Sequence, residues 1–401
     1  MFRMVNAGST AQNAIEAINS CVDQVRAQMV QAPNYIMTHA SASYDLTAIL
    51  NGIRTAFPNS QIHGSTSCLG ALSGVGVMSN DGFGLAIIAI YDPEGDYGVG
   101  RRTIGDHPRD AAVQAFDMAL DEAARPGQSP DLLWLSSAPG AEEEIIAGLQ
   151  DIVGLNTIII GGTSADNEIA GNWKQFDHTG LGDDEVLVSA MYPSVNVGTA
   201  FQNTYDPTPI RGRVTKASGR SIIEIDGQRA ADVYREWTGR LLSSCSPDET
   251  TNILALSSLT PLGRNIGDVG GVDFYLLSHP ETVTENGHIT LFTDIMVGDE
   301  LTLMVGTDTM LITRAGRVVE EARIVGEFAP DSMLGAIVVC CAGCMLKVRD
   351  DIRKIHKNIQ SVLGDVPFIG TFTFGEQGRV LARENRHGNL MVSAVVFGKV
   401  K

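Results

Sequence analysis

Three segments of this chain share one grammar, and that internal repeat constrains the fold more than any other feature of the sequence. The first runs from Tyr35-Ile-Met-Thr-His-Ala40 through a helical stretch at 44–56 to Ile62-His-Gly-Ser-Thr-Ser67, and closes with Leu85-Ala-Ile-Ile-Ala-Ile-Tyr91. The second runs from Leu132-Leu-Trp-Leu-Ser-Ser137 through a helix at 141–153 to Ile158-Ile-Ile-Gly-Gly-Thr-Ser164, and closes with Val186-Leu-Val-Ser-Ala-Met-Tyr192. The third runs from Ala336-Ile-Val-Val-Cys-Cys341 through a helix at 347–363 to Phe368-Ile-Gly-Thr-Phe-Thr373, and closes with Leu390-Met-Val-Ser-Ala-Val-Val-Phe397. From aligned glycine to closing aromatic is 27 residues in the first (Gly64 to Tyr91), 31 in the second (Gly161 to Tyr192) and 27 in the third (Gly370 to Phe397). Each copy reads strand, helix, strand, glycine-containing loop, returning strand. Such a strand–helix–strand connection crosses over right-handed and sets its two strands parallel.

Spacing supports the helices. Val348, Ile352, Ile355, Ile359 and Val362 recur at steps of four and three, which lines one face of a 3.6-residue period. Gly364-Asp365 and then Pro367 supply the stop. Glu142, Glu143 and Glu144 crowd the first turn of the second helix, where carboxylates favour the positive end of the dipole. The strands are nearly continuous runs of Ile, Val and Leu, the pattern of a sheet covered by helices. A further amphipathic helix precedes the first copy, capped by Ser9 or Thr10, with Ile15, Ile18, Val22, Val25 and Met29 as its stripe. Gly64 and Gly161 stand 97 residues apart, Gly161 and Gly370 209 apart, room for one missing or heavily altered copy. The interval from about Pro193 to Met333 is more strand-rich, with a turn at Asp226-Gly227 and a helix from Ala230 to Leu241. The expected architecture is α/β: repeated strand–helix–strand units forming helix-covered mixed sheets, with a strand-rich insertion between the second and third units. A domain boundary near 207–219 divides the chain into 1–215, holding two repeats, and 216–401.

With 401 residues, 44% of them hydrophobic, the chain has ample material for buried cores. Its net charge of −18 argues against nucleic acid and anionic membrane surfaces as partners. No run approaches the roughly 20 apolar residues of a membrane helix, and the N-terminus lacks a signal-peptide pattern. Six cysteines (21, 68, 245, 340, 341 and 344) are too few and too uneven for a disulfide framework, so a reducing cytoplasm is the expected location.

The chemistry is expected at the three glycine loops, because ligands of α/β sheets bind beyond the carboxyl ends of strands. The candidate residues are Gly64, Ser65, Thr66 and Ser67 in the first loop and Gly162, Thr163, Ser164, Asp166 and Asn167 in the second. Thr373, Phe374, Gly375, Glu376 and Gln377 belong to the third, together with Cys341 and Cys344. The plainer reading is that the glycines only permit tight turns. Glu376, set between glycines, either holds an amine or accepts internal N–H bonds. Cys341-Ala-Gly-Cys344 is a CxxC without the second ligand pair that zinc needs; it is either a redox pair or buried structural thiol. His39 ends the first strand and His356 lies beside a helical stripe; either could ligate haem iron, and either could be a satisfied core residue. P-loop, GxGxxG, GxSxG and kinase signatures are missing, so an enzyme is not the default.

Ile62-His-Gly-Ser-Thr-Ser-Cys-Leu-Gly70, Ile160-Gly-Gly-Thr-Ser-Ala-Asp-Asn167, Phe372-Thr-Phe-Gly-Glu-Gln-Gly378 and Cys341-Ala-Gly-Cys-Met-Leu346 together resemble the hallmarks of FIST-domain proteins. The likeness covers nearly the whole chain, as an N-terminal FIST half to about 215 and a C-terminal half beyond. It implies a bacterial sensory module that binds a small ligand. The wording of the last two motifs is similar to stand-alone haem-binding nitric-oxide sensors that act on histidine kinases or cyclic-di-GMP enzymes. The resemblance therefore implies haem as cofactor, without naming the histidine that holds the iron, and an output carried by a separate protein; His39 and His356 are candidates by position alone. Two alternatives stand beside it. One is a sensor of amino acids or related amines held by Glu376 and the Asp166-Asn167 loop; the other is a thiol redox protein using Cys341 and Cys344.

Overall fold

The computed structural model describes residues 1–239, 241–242, 249–381 and 384–400. Cys245 and the end of the helix expected to reach Leu241 lie outside the described residues or beyond the helix, which spans Ala230–Thr238.

The three repeats build three six-stranded sheets of the same plan. In the first, Tyr35–Ala40 and Gln61–Thr66 run parallel, Thr38 opposite Gly64. Leu85–Tyr91 returns antiparallel beside Tyr35–Ala40, and Arg3–Ser9 adds the edge. The second sheet repeats this with Leu132–Ser137, Ile158–Thr163, Glu185–Tyr192 and the edge strand Asp96–Thr103. The third does so with Met333–Cys341, Phe368–Thr373, Val392–Gly398 and the edge strand Asn196–Gln202. This is the α/β architecture of helix-covered mixed sheets that the repeat predicts.

Each sheet is completed by a hairpin that it does not itself own. The hairpin Ala71–Ser73/Gly76–Met78 of the first repeat pairs with Phe368–Thr373 of the third. Glu376–Val380/Glu384–Gly388 of the third pairs with Ile158–Thr163 of the second. Gln175–Phe176/Leu181–Gly182 of the second pairs with Gln61–Thr66 of the first. The exchange is cyclic, so the repeats close into a ring with no first or last member.

Two features of the unit differ from the sequence reading. The helix Ala14–Gln28 is part of the repeat: Pro108–Glu122 and Asp308–Val325 follow the other two edge strands in the same way, so every unit carries two long helices, and the third has the short helix Ala342–Lys347 before its second, Ile352–Leu363. Its cap is Asn13, whose side chain accepts from the N–H groups of Ile15 and Glu16, and Ile15 points to solvent. The strand-rich insertion interrupts the third unit, between Asn196–Gln202 and Asp308–Val325. That interruption accounts for the 209-residue spacing without a missing copy. It forms a nine-stranded sheet over a separate core of Val214, Ile222, Tyr234, Ile289 and Leu301.

The strands are buried on both faces, hence their unbroken apolar runs. Inner faces of all three sheets meet in one core containing Tyr35, Met37, Trp134, Ile160, Val339 and Ile369. Outer faces pack beneath the helix pairs.

Candidate functional site

The glycine loops converge at one end of the ring, as the repeat requires, and they stitch to each other, while Asp166 and Asn167 of the second loop also line an open cavity. The Cys68 N–H donates to the Phe372 carbonyl (3.0 Å), Ala165 to Thr66 (3.1 Å), Phe374 to Thr163 (3.1 Å) and Thr163 to Gly375 (2.8 Å). Their side chains are committed too. Ser67 Oγ accepts from the Phe372 N–H at 2.8 Å and donates to the Gly70 carbonyl. Thr66 Oγ1 accepts from the Lys174 N–H at 3.0 Å. Asp166 accepts from four backbone N–H groups, among them Ala170 and Asn172, which orders its own loop. Asn167 ties Leu69 to Ser43. Gly162 faces the central core, where a Cβ would fall 2.5 Å from Thr373. Phe374 meets Trp173 edge-on, and Ser164 Oγ is buried without a partner among the described residues. These loops form a closed polar seam, and the free N–H groups expected of them are taken.

Two charged clusters flank the seam. In the second repeat, buried Glu142 accepts from Thr163 Oγ1 (3.0 Å) and pairs with Arg220 (2.7 Å). Gln377 Nε2 donates to the same Thr163 hydroxyl at 3.0 Å. Burial pushes the Glu142 carboxyl up, but His387 and Arg220 outweigh it and hold the group below its ordinary range. Glu142, Glu143 and His387 present ligand atoms within 4.8 Å of one another; Arg220 already bridges both carboxylates.

In the third repeat the chain turns from strand to helix at Cys341 and brings Cys344 back beside it. Cys340, Cys341, Cys344, Arg314, Tyr205 and Glu376 are all buried there. Glu376 accepts from Thr373 Oγ1 (2.8 Å) and the Met391 N–H (3.0 Å). Burial, reinforced by Cys341, keeps its proton on far above the carboxylate range. Both carboxyl oxygens of Glu376 are taken by internal donors and the side chain is fully buried, so the amine role considered for it finds no support in its surroundings. Tyr205 donates to the Ser258 carbonyl (2.7 Å) and lies 3.5 Å from Cys344 Sγ.

Neither candidate iron ligand fits haem. His39 is buried in the central core, with Nδ1 2.9 Å from Ser65 Oγ, and burial lowers its pKa to about 3. His356 is buried with Nε2 2.9 Å from the Ser73 carbonyl and its ring against Phe368. Neither is a wall of the two large cavities described below. In a haem titration of the purified protein, His39→Ala and His356→Ala are expected to give the wild-type Soret region. A band lost in either variant would restore that histidine as an iron ligand.

Two cavities are large enough for a ligand. One of about 500 Å³ lies at the start of helix Leu46–Ala56, beside Asp45, Asn167 and Lys174. The other, of about 730 Å³, lies where the insertion meets the ring, with Phe201, Tyr205, Phe274, Tyr275, Glu321 and Arg379 among its walls. Sequence reasoning missed it because its walls come from five separated segments, no one of which carries a local pattern. The only local hint is the cluster Gln202-Asn-Thr-Tyr-Asp206 at the junction with the insertion.

Two family models match the chain, the FIST N domain over residues 34–228 and the FIST C domain over 230–379. An uncharacterized protein of Methanocaldococcus jannaschii is 26% identical over 296 residues, 64% of this chain and 51% of that protein. The chain thus spans about half the length of that curated relative. A cyanuric acid hydrolase from A. caulinodans aligns over 100% of both chains at 10% identity, with a TM-score of 0.37. Phosphoribosylformylglycinamidine synthase II from Thermotoga maritima aligns with 99% of this chain and 71% of its own at 10% identity, with a TM-score of 0.22. Neither likeness is close enough to carry a functional argument. Among the described residues, no helix is long and apolar enough to cross a membrane.

Proposed function

The chain belongs to the FIST family, and from that premise we propose that it senses a zwitterionic amino acid or related small amine in the 730 Å³ cavity between the third repeat and the insertion. FIST domains are small-ligand sensors in signalling, and this cavity is the observation that carries the reading. It has the size and the mixed lining of a small-molecule site. Aromatic and aliphatic walls (Phe201, Phe274, Val325) carry acids at Asp206, Asp273 and Glu321 and a guanidinium at Arg379, opposite charges for the two ends of one ligand. The Glu321 carboxyl, raised by burial against the opposing bond from Gln202, gains most from an incoming ammonium group. The cavity also bridges two bodies, the ring strand Asn196–Gln202 and the insertion hairpin Leu262–Val269/Val272–Ser278. A ligand that contacts both favours one docking of insertion on ring. That shift would be read by a histidine kinase or a cyclic-di-GMP enzyme.

A thermal-shift screen of amino acids and small amines tests this. A ligand at 100 times its Kd is expected to raise stability by about 2.7 kcal/mol. Glu321→Gln should weaken binding roughly tenfold, through loss of a charge-assisted hydrogen bond. Val272→Trp, at the exposed rim, should block entry. No shift with any member of the screen, or one that survives Val272→Trp unchanged, overturns the assignment.

A further inference from the structure

We infer that Cys344 and Cys341 form a buried dithiol that a small hydroperoxide converts to a disulfide, a second input to this protein independent of the ligand cavity. Three observations carry it. First, the strand-to-helix turn at Cys341 sets the two thiols in one buried cluster, both on the wall of one small cavity. Second, Arg314 is buried with a single protein hydrogen bond, from Nη1 to the Leu390 carbonyl at 2.8 Å. Among the described residues no carboxylate pairs with it, and Glu376 nearby is occupied by Thr373 and Met391. A buried guanidinium without a counterion is strongly unfavourable; three sulfurs and the Tyr205 hydroxyl are what surrounds this one. The missing negative charge is a thiolate, and Cys344 is its seat. Burial would raise that thiol, but the bonds from Cys341 and Tyr205 and the Arg314 charge hold it below the ordinary range, while burial pushes neighbouring Cys340 up to about 12.

Third, there is room for a small oxidant. A cavity of about 10 Å³, sized for one water-like molecule, is bounded by Arg314, Cys340, Cys341 and Cys344. A second of about 30 Å³ lies on the other side of Cys341, and its rim includes the exposed side chains Ile169 and Leu346. The other two repeats place Ala40-Ser41 and Ser137-Ala138 where the third has Cys340-Cys341, so the cluster is a property of this repeat alone.

The chemistry balances. The Cys344 thiolate attacks one peroxide oxygen, the O–O bond breaks, and the other oxygen leaves as hydroxide (or alkoxide), giving a sulfenic acid. Cys341 sulfur then attacks Cys344 sulfur; the S–O bond breaks, the thiol proton goes to the departing hydroxyl, and water leaves as the disulfide forms. The dithiol is oxidised by two electrons and the peroxide reduced by two. Oxidation removes the counter-charge of Arg314 and the sulfur contact of Tyr205, whose ring is also a wall of the ligand cavity.

The test uses the full folded chain, stoichiometric hydrogen peroxide and peptide mass spectrometry. The expected product is a loss of two hydrogens within the Cys340–Cys344 peptide, retained in Cys340→Ser and abolished in Cys344→Ser. Cys341→Ser should trap the sulfenic acid, as a dimedone adduct on Cys344. Between pH 8 and pH 6 the adduct should slow by clearly less than the roughly 100-fold expected of an ordinary thiol. Arg314→Met should restore the ordinary pH dependence; if it does not fold, the Cys341→Ser profile decides alone. A reduced Cys341–Cys344 pair after excess peroxide on folded protein overturns the proposal. So does a disulfide to Cys68 in its place, or an ordinary pH profile for the adduct.

Discussion

Lowering the pH from 7 to 4 is expected to unfold this protein, with the steepest loss between about pH 5 and 4. His39, His63 and His279 are buried. Burial lowers His39 to about 3 and His279 to about 4, and drives His63, which also feels His39, well below the ordinary range. In the unfolded chain all three take up protons near pH 6.5. Between that value and their folded values the unfolded state therefore binds three more protons than the native state. Stability then rises with pH, and it is lost as pH falls, at a limiting slope of about 4 kcal/mol per pH unit. Glu376 and Glu321 act oppositely. Their raised carboxyls hold protons in the fold that the unfolded chain takes up only near pH 4.5, so they oppose the loss above that value and not below it. Glu142, held low by His387 and Arg220 against burial, adds its own loss below pH 4.5. Against a total stability of about 5–15 kcal/mol, one to two units of such slope is decisive. Urea unfolding at a series of pH values gives the slope, and His39→Gln should reduce it by one proton, about 1.4 kcal/mol per unit. Parallel curves for variant and wild type would mean that His39 is protonated in the fold.

The repeat was legible because it rests on local signals: apolar strands, helical periodicity and a glycine at a fixed distance from a closing aromatic. What joins the copies was not. The Leu72 and Gln377 strands read as short polar-rich stretches after a glycine loop, and nothing near them says that they pair with Gly370 and Gly161 of other repeats. Pairing across 200 or 300 residues leaves no periodicity behind. The site divided in the same way. Cys341, Cys344, Thr373 and Glu376 were found because a CxxC and a glycine-bracketed acid are local patterns. Arg314 and Tyr205, which give those residues their electrostatics, sit on a helix and at a strand junction with no motif of their own. The serine and threonine loops misled for a related reason. Hydroxyls beside glycines serve a ligand and a seam between repeats equally well, and only the partners of Ser67 and Thr66 tell the two apart.

That seam makes a sharp stability prediction at the three aligned glycines. Gly64→Ala is expected to cost about 3 kcal/mol or more, whereas Gly370→Ala should cost less than about 1. None of the three has a left-handed backbone, so the difference is steric. A Cβ on Gly64 would fall 1.9 Å from the ring of Phe176, a fully buried side chain that the second repeat's hairpin lays across the first repeat's sheet. On Gly161 it would fall 1.9 Å from the Leu135 carbonyl oxygen, which cannot retreat without breaking its strand. On Gly370 the nearest atom is Leu72 Cβ at 3.0 Å, on a hairpin strand of only three residues, which can give by the few tenths of an ångström required. Phe176→Ala alone should cost about 3–5 kcal/mol through the cavity that it leaves. Combined with Gly64→Ala it should cost no more than that, because the added methyl enters the space vacated by the ring. The coupling between the two positions is then at least 2–3 kcal/mol by double-mutant cycle. Equal losses at all three glycines, or additivity of Gly64→Ala with Phe176→Ala, would show that the second repeat's hairpin does not seat on the first repeat's sheet. The ring would then have to close by some other pairing, since each sheet depends on a hairpin lent by its neighbour.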